Sequence, residues 1–245
     1  MGKTIVITGA GLGLGRALAR RFAKEGETVV LLGRTLAKVQ ALAEELGGDS
    51  YAVECDVAEP DSVRAAFKTI AEKSGTIDVL INNAAVFEPF TIEEARDDHI
   101  QSIIAINLAG PIYCARAAIP LMRAGGCIIN VGSESVVQPF AMLSLYQCTK
   151  AGLEKLTEAL ASELDEKGIR VCLVRAGQMF EEGKQTGWDP EVSMRFAQGC
   201  AKNGLNLMER PISHVDSVTG AFRTIIDFPP DARIPFLAIE ARRPS

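Results

Sequence analysis

Tyr146 and Lys150 lie four residues apart in the stretch Tyr146-Gln147-Cys148-Thr149-Lys150. On a helix that spacing is about one turn, so both side chains can face a single cleft. A free phenol has a pKa of about 10 and is a poor proton donor or acceptor at neutral pH. Lowering it to about 7–8 would make a useful acid/base. The change amounts to about 3–4 kcal/mol at about 1.36 kcal/mol per unit. An ammonium about 5 Å away, at an effective dielectric near ~20, supplies roughly 3 kcal/mol. Lys150 could therefore do most of that work. Tyr-x-x-x-Lys is a short pattern, equally at home at an ordinary helix start, so the rest of the chain must give it weight.

The elements needed to position such a pair are visible along all 245 residues. Apolar, β-branched runs recur at 4–8, 28–32, 51–55, 77–81, 127–131 and 170–174. Amphipathic stretches separate them: Leu14, Leu18 and Phe22 share one helical face, as do Val63, Phe67 and Ile70, and the series Leu153, Leu156, Leu160 and Leu164 follows Tyr146. The region 96–122 reads as one long helix or two consecutive ones. Continuous apolar strands alternating with such helices imply a parallel sheet covered on both faces. The expected fold class is α/β, one Rossmann-type doubly wound domain spanning 1–245. Residues 178–208 are richer in Gly, Gln, Asn and charge and show weak helical spacing, with the single Trp at 188. An irregular insert there lies at the carboxyl edge of the sheet, where ligands bind in open α/β folds, and is expected to be a substrate lid.

Composition narrows the function classes. A net charge of −5, a pI near 5.3 and the lack of a basic tract argue against nucleic acid as a partner. The six cysteines show neither zinc-type nor redox-type spacing, so no metal site is expected, and buried thiols in a reducing compartment are the reading. His99 and His214 have no partner at metal spacing. No signal peptide precedes the first apolar run, and no apolar stretch reads as long enough to span a membrane. The expectation is a soluble, cytoplasmic protein with no membrane partner.

Between the first strand and the first helix runs Thr8-Gly9-Ala10-Gly11-Leu12-Gly13-Leu14-Gly15. Glycines allow a tight turn and close approach to a pyrophosphate, which then meets the free N–H groups and positive dipole end of the helix. The second strand ends in Gly33-Arg34. An acid there would bind a ribose 2′-hydroxyl, whereas a guanidinium forks onto a 2′-phosphate. NADP(H) is therefore favoured over NAD(H). Asp56 and Val57 follow the third strand and are expected at the adenine edge, although Asp56 also suits a plain helix-start turn.

Taken together these residues resemble the short-chain dehydrogenase/reductase family over nearly the whole length. Thr8, Gly9, Gly13 and Gly15 match its TGxxxGxG. Asn82-Asn83-Ala84-Ala85 is similar to its NNAG, with Ala85 in place of glycine. Asn107 stands where the family carries a structural and proton-relay asparagine, and Ser133 precedes Tyr146 by the family's thirteen residues. The resemblance implies hydride transfer between a nicotinamide and a small-molecule carbonyl or alcohol, without a metal. Ser133 would orient the substrate oxygen, Tyr146 would exchange a proton with it, and Lys150 would lower the Tyr146 pKa and hold the nicotinamide ribose. Asn107 would support a water chain to Lys150 through its backbone in a helix irregularity. Asn83, Ala84 and Ala85 would line the cofactor, and a homodimer or homotetramer is expected.

Two features depart from that pattern. Ala176-Gly177 replaces the family's Pro-Gly, and Glu181 stands where a threonine usually binds the carboxamide, leaving backbone around Met179 to hold the nicotinamide. The tail, 228–239, loosely resembles the branch containing 3-hydroxy acid and serine dehydrogenases. Arg175, Gln138, Gln178 and Trp188 are candidates to line the cleft, Arg175 as a holder of a substrate carboxylate. A second reading, kept open by residues 176 and 181, is a catalytically silent NADP(H)-binding sensor or scaffold. A third is related lyase or isomerase chemistry.

Overall fold

The computed structural model describes residues 2–183 and 187–242. Seven strands form one sheet: β1 (Thr4–Thr8), β2 (Thr28–Gly33), β3 (Tyr51–Glu54), β4 (Ile77–Asn82), β5 (Met122–Ser133), β6 (Arg170–Ala176) and, after a two-residue pair β7 (Met179–Phe180) and β8 (Ser213–His214), β9 (Phe236–Ile239). The order is β3-β2-β1-β4-β5-β6-β9, and every pairing in it is parallel. The strand order reverses between β1 and β4, which opens a crevice at their carboxyl ends.

The apolar runs are buried because helices cover both faces. Helices α1 (Gly13–Lys24) and α2 (Leu36–Leu46) pack on one side. There Leu18, Phe22, Val39 and Leu42 join Ile5, Ile7, Val29 and Leu31 in one core. On the other side lies α3 (Pro60–Ser74), whose Val63, Phe67 and Ile70 meet Val6, Val30, Leu80 and Ile128. Alternate residues of each strand thus feed opposite cores, the period-two consequence of a two-sided sheet.

Next comes a continuous helical run of α4 (Asp97–Ile104), a π-helical turn (Ala105–Ala109), α5 (Gly110–Ala118) and a final 3₁₀ turn. With 25 residues, Asp97–Leu121 is long and apolar enough to cross a membrane, which corrects the expectation that no such stretch exists. The reason for its apolarity is packing: Ile106, Cys114, Ala115 and Ala118 are buried against the sheet. The helix α6 (Ser144–Glu163) carries Tyr146 and Lys150, and α8 (Val215–Ile226) closes the α1 side with Phe222 and Ile225.

The insert is more regular than its composition suggests. It contains α7 (Pro190–Lys202), started by the Asp189 carboxylate accepting the Glu191 N–H and by Pro190 in the first turn. Phe196 and Cys200 anchor it. Residues 184–186 of the expected lid lie outside the described residues. Five cysteines are buried free thiols and Cys148 is exposed.

Candidate active site

The crevice floor is knitted by Thr8. Its hydroxyl oxygen accepts the N–H groups of Asn83 and Ala84, each at 3.0 Å. The Asn83 amide returns a 3.0 Å hydrogen bond to the Thr8 carbonyl. Gly9 has φ +65°, and a side chain at Gly15 would strike the Gly9 carbonyl at 2.5 Å, so both positions require glycine. Leu12 precedes α1 without capping it, and no acid occupies the first turn. The Gly13 N–H instead donates to Glu181 Oε2 at 2.8 Å. Glu181 Oε1 accepts from Arg16 Nε at 2.8 Å and Arg16 Nη2 at 2.6 Å. This helix start therefore binds an anion, as a pyrophosphate cradle must. Glu181, expected near a carboxamide, sits at the glycine turn instead.

At the end of β2, Gly33 packs against Val39 with no room for a side chain. Arg34 is exposed and forms no ion pair among the described residues. Lys38, four residues on, lies with its stem beside Gly11. Sequence reasoning missed Lys38, although its spacing from Arg34 was the available signal. Asp56 Oδ1 accepts the Ala58 N–H at 3.0 Å in a local turn, and Val57 is buried against Gly110.

Across the crevice, β5 ends at Ser133, whose hydroxyl accepts the Ser135 N–H at 3.2 Å. The Tyr146 phenol lies on the side of the Ser133 hydroxyl and is influenced by it. Lys150 is buried and donates to the Val131 carbonyl at 2.7 Å, with its ammonium 5.8 Å from the Tyr146 ring centre. Burial pushes the Tyr146 pKa up, the Ser133 hydroxyl pulls it down, and the Glu134 carboxylate pushes it up again. The direction is opposite to that expected from Lys150 acting alone. Desolvation is the largest influence on the phenol, and the Lys150 ammonium is directed at a backbone carbonyl. Burial likewise drives Lys150 down to about 8.

Asn107 lies inside the π-turn, as the expected helix irregularity. Its amide clamps the loop after β4, accepting the Val86 N–H and donating to the Val86 carbonyl, both at 2.8 Å. A weaker 3.4 Å bond reaches Thr149 on α6. Asn130, unnoticed in the sequence, fixes α6 from below. It accepts from Asn82 at 2.8 Å and donates to Thr157 at 2.9 Å within the core. Met142, the one non-glycine residue with positive φ among those described, precedes α6, and its carbonyl accepts the Phe90 N–H at 2.9 Å.

At the third side of the crevice, Gly177 is pressed against the Ile239 carbonyl of β9, and Met179 pairs with Ser213. Gln178 Oε1 is buried with no partner among the described residues. Glu134 is buried and receives a 2.6 Å bond from Arg210. Sequence analysis missed this pair, although a charge directly after Ser133 was its signal. Arg175 does not face a substrate as an open cation. Glu154 takes it with bonds of 2.9 and 2.7 Å, and its guanidinium stacks on Phe236. Gln138 uses its carbonyl to receive Gln147. Aromatic rings wall the opening: Phe87 lies 5.6 Å from Tyr146 and 5.2 Å from Trp188, which lies 5.7 Å from Phe196.

Comparison with known proteins agrees with this architecture. The family model for "short chain dehydrogenase" matches residues 3–186. A "3beta-hydroxysteroid dehydrogenase" of Mediterraneibacter gnavus is 41% identical over 172 residues, covering 68% of this chain and 62% of that protein. "Carbonyl reductase family member 4" of Danio rerio is 34% identical, with 80% of this chain and 83% of that one covered. A short chain dehydrogenase from Burkholderia cenocepacia J2315, solved in complex with NADP, superposes with a TM-score of 0.83 at 27% identity, covering 98% of this chain and 97% of that one. With the fold, the glycine turn and the matched family model in agreement, the chain belongs to the short-chain dehydrogenase/reductase family, oxidoreductases acting on CH–OH groups with a nicotinamide dinucleotide.

Proposed function

We propose that the protein is an NADP(H)-dependent carbonyl reductase or alcohol dehydrogenase in which Tyr146 is the general acid/base. The observation that carries this is the convergence of Ser133 at the end of β5 with Tyr146 and, one helical turn on, the buried Lys150, whose ammonium lies 5.8 Å from the Tyr146 ring centre. When bound, the nicotinamide supplies or accepts the hydride. Ser133 and Tyr146 both hold the substrate oxygen. In reduction, the neutral phenol gives its proton to that oxygen as the alcohol forms; in oxidation, the phenolate removes it. A pKa above the usual phenol value keeps Tyr146 protonated, the state that reduction requires. Lys150 holds the nicotinamide ribose and, with the backbone of Asn107 in its π-turn, leads protons to Tyr146.

The NADP(H) preference rests on Arg34 and Lys38 beside a β2 end without a carboxylate. Thr8, Gly9, Gly11, Leu12, Gly13 and Leu14 cradle the pyrophosphate, Asp56 and Val57 border the adenine, and Asn83, Ala84 and Ala85 line the crevice floor. Ala176, Gly177 and backbone at Met179 flank the nicotinamide. The substrate is an apolar carbonyl or alcohol, since Phe87 and Trp188 wall the opening while Arg175 and Arg210 are neutralised by Glu154 and Glu134. The insert, with α7 packed on the start of α6, serves as its lid. Homo-oligomers form through α5 and α6, where Ile112 and Cys148 are exposed, in a cytoplasmic setting that keeps the thiols reduced.

Parallel fluorescence titrations with NADPH and NADH test the cofactor. Tight NADPH binding that Arg34→Leu weakens, without a change for NADH, is the expected result. Equal affinities would remove the 2′-phosphate role. A carbonyl screen with Tyr146→Phe as control tests the chemistry. Glu181 in the cradle favours the alternative of a silent NADP(H)-binding sensor. Binding without turnover of any carbonyl or alcohol would establish it.

A further inference from the structure

The Gly13 N–H and the Arg16 guanidinium are the groups that meet an anion at the start of α1, and a carboxylate of the same chain already holds both. That carboxylate belongs to Glu181, 168 residues away in sequence, and its side chain is only 10% exposed. The contact uses one oxygen for the backbone amide and the other for two guanidinium donors. It is the arrangement with which proteins hold a phosphate. No acid of α1 competes for it.

We propose that Glu181 is an intramolecular competitor for the pyrophosphate cradle, which the cofactor must displace in order to bind. The proposal rests on the dinucleotide reading above. One N–H cannot donate fully to two anions, and two anions in hydrogen-bond contact with the same donors repel. Glu181 therefore leaves when a pyrophosphate arrives, and Arg16 passes from carboxylate to phosphate. Glu181 stabilises the chain while the cradle is without cofactor and lowers affinity for the cofactor by the same free energy. The residue lies four positions beyond Gly177, on the segment that flanks the expected nicotinamide site. Its release and the seating of the nicotinamide thus involve one stretch of backbone.

The experiment measures NADP⁺ and NAD⁺ binding by calorimetry, and melting with and without saturating NADP⁺, for the wild type, Glu181→Gln and Glu181→Asp. Glu181→Gln keeps the shape and removes the charge. It is expected to bind NADP⁺ about tenfold or more tightly, the effect of losing charge-assisted hydrogen bonds on the competing side. Its melting temperature falls without cofactor, and the difference from wild type closes at saturation. Glu181→Asp, too short to reach both donors, shifts the same way by less and serves if the Gln variant does not fold. Unchanged or weaker binding by the variants, with wild-type binding intact, overturns the proposal. So does a melting deficit that persists equally with cofactor, because Glu181 would then stay in place. Failure of the wild type and both variants to bind either dinucleotide refutes the dinucleotide reading itself, and the competitor with it.

Discussion

The Lys150 ammonium donates to the Val131 carbonyl at 2.7 Å, tying the second turn of α6 to the end of β5 in the buried interior. A single carbonyl is modest compensation for a buried charge, and the Lys150 pKa falls from 10.5 to about 8. Below about pH 8 the folded chain keeps this charge at a cost. Between about pH 8 and 10.5 the unfolded chain binds more protons than the folded one, so this group makes stability rise with pH across that window.

Replacing Lys150 by Met removes the buried charge while keeping most of the side-chain volume. The variant is expected to lose activity and to melt higher than wild type at pH 7. A gain of about 1 kcal/mol corresponds to roughly 2–4 °C for a chain of this size. Its stability should also lack the rise between about pH 8 and 10.5 that Lys150 gives the wild type. Calorimetric melting across that range checks both points; equal pH slopes in the two proteins would contradict the assignment.

Glu134 adds negative charge beside Tyr146 and raises its pKa. Glu134→Gln removes that charge and leaves the Arg210 guanidinium uncompensated, and both changes favour the phenolate. Carbonyl reduction, which needs the neutral phenol, should begin to fall at lower pH than in wild type. Alcohol oxidation, which needs the phenolate, should reach its plateau at lower pH. A shift of about one pH unit is expected for the loss of one nearby charge. Coincident pH–rate profiles would show that Glu134 does not act on Tyr146.

Phe87 projects into the opening, with 46% of its surface exposed, between Tyr146 and Trp188. Phe87→Ala should raise KM for an apolar ketone by roughly tenfold or more, since burying an aromatic face contributes about 1.5–3 kcal/mol. The effect on kcat and on a small polar ketone should be slight. A KM effect as large for the polar ketone would mean that Phe87 shapes the site without contacting an apolar substrate.

Asn130 joins Asn82 of β4 to Thr157 of α6 inside the core. Asn130→Leu leaves a buried amide and a buried hydroxyl with lost partners, at a cost of about 2–3 kcal/mol. A fall in Tm of roughly 5–10 °C follows for a chain of this size. Thermal melting measures it, and an unchanged Tm would show that the polar chain contributes nothing to holding α6.

Alternating apolar runs and amphipathic helices marked six strands of the sheet, because a strand buried on both faces must be apolar throughout. The glycine turn and the Tyr146–Lys150 spacing stood out as short patterns, and Asn107 and Ser133 were singled out by the resemblance to the family. Elements held by distant partners were not. The β9 strand, Phe236–Ile239, gains its identity by pairing with β6, and α7 is held by burial of Phe196 and Cys200 against the start of α6. The sequence by itself determined the α/β class and the order of the elements, since these follow from local propensity and periodicity. Only the tertiary structure decided that Glu181 reaches Gly13, that Glu154 takes Arg175, and that burial raises the Tyr146 pKa. Those outcomes depend on which distant groups share a small, poorly hydrated space, and local patterns carry no record of it.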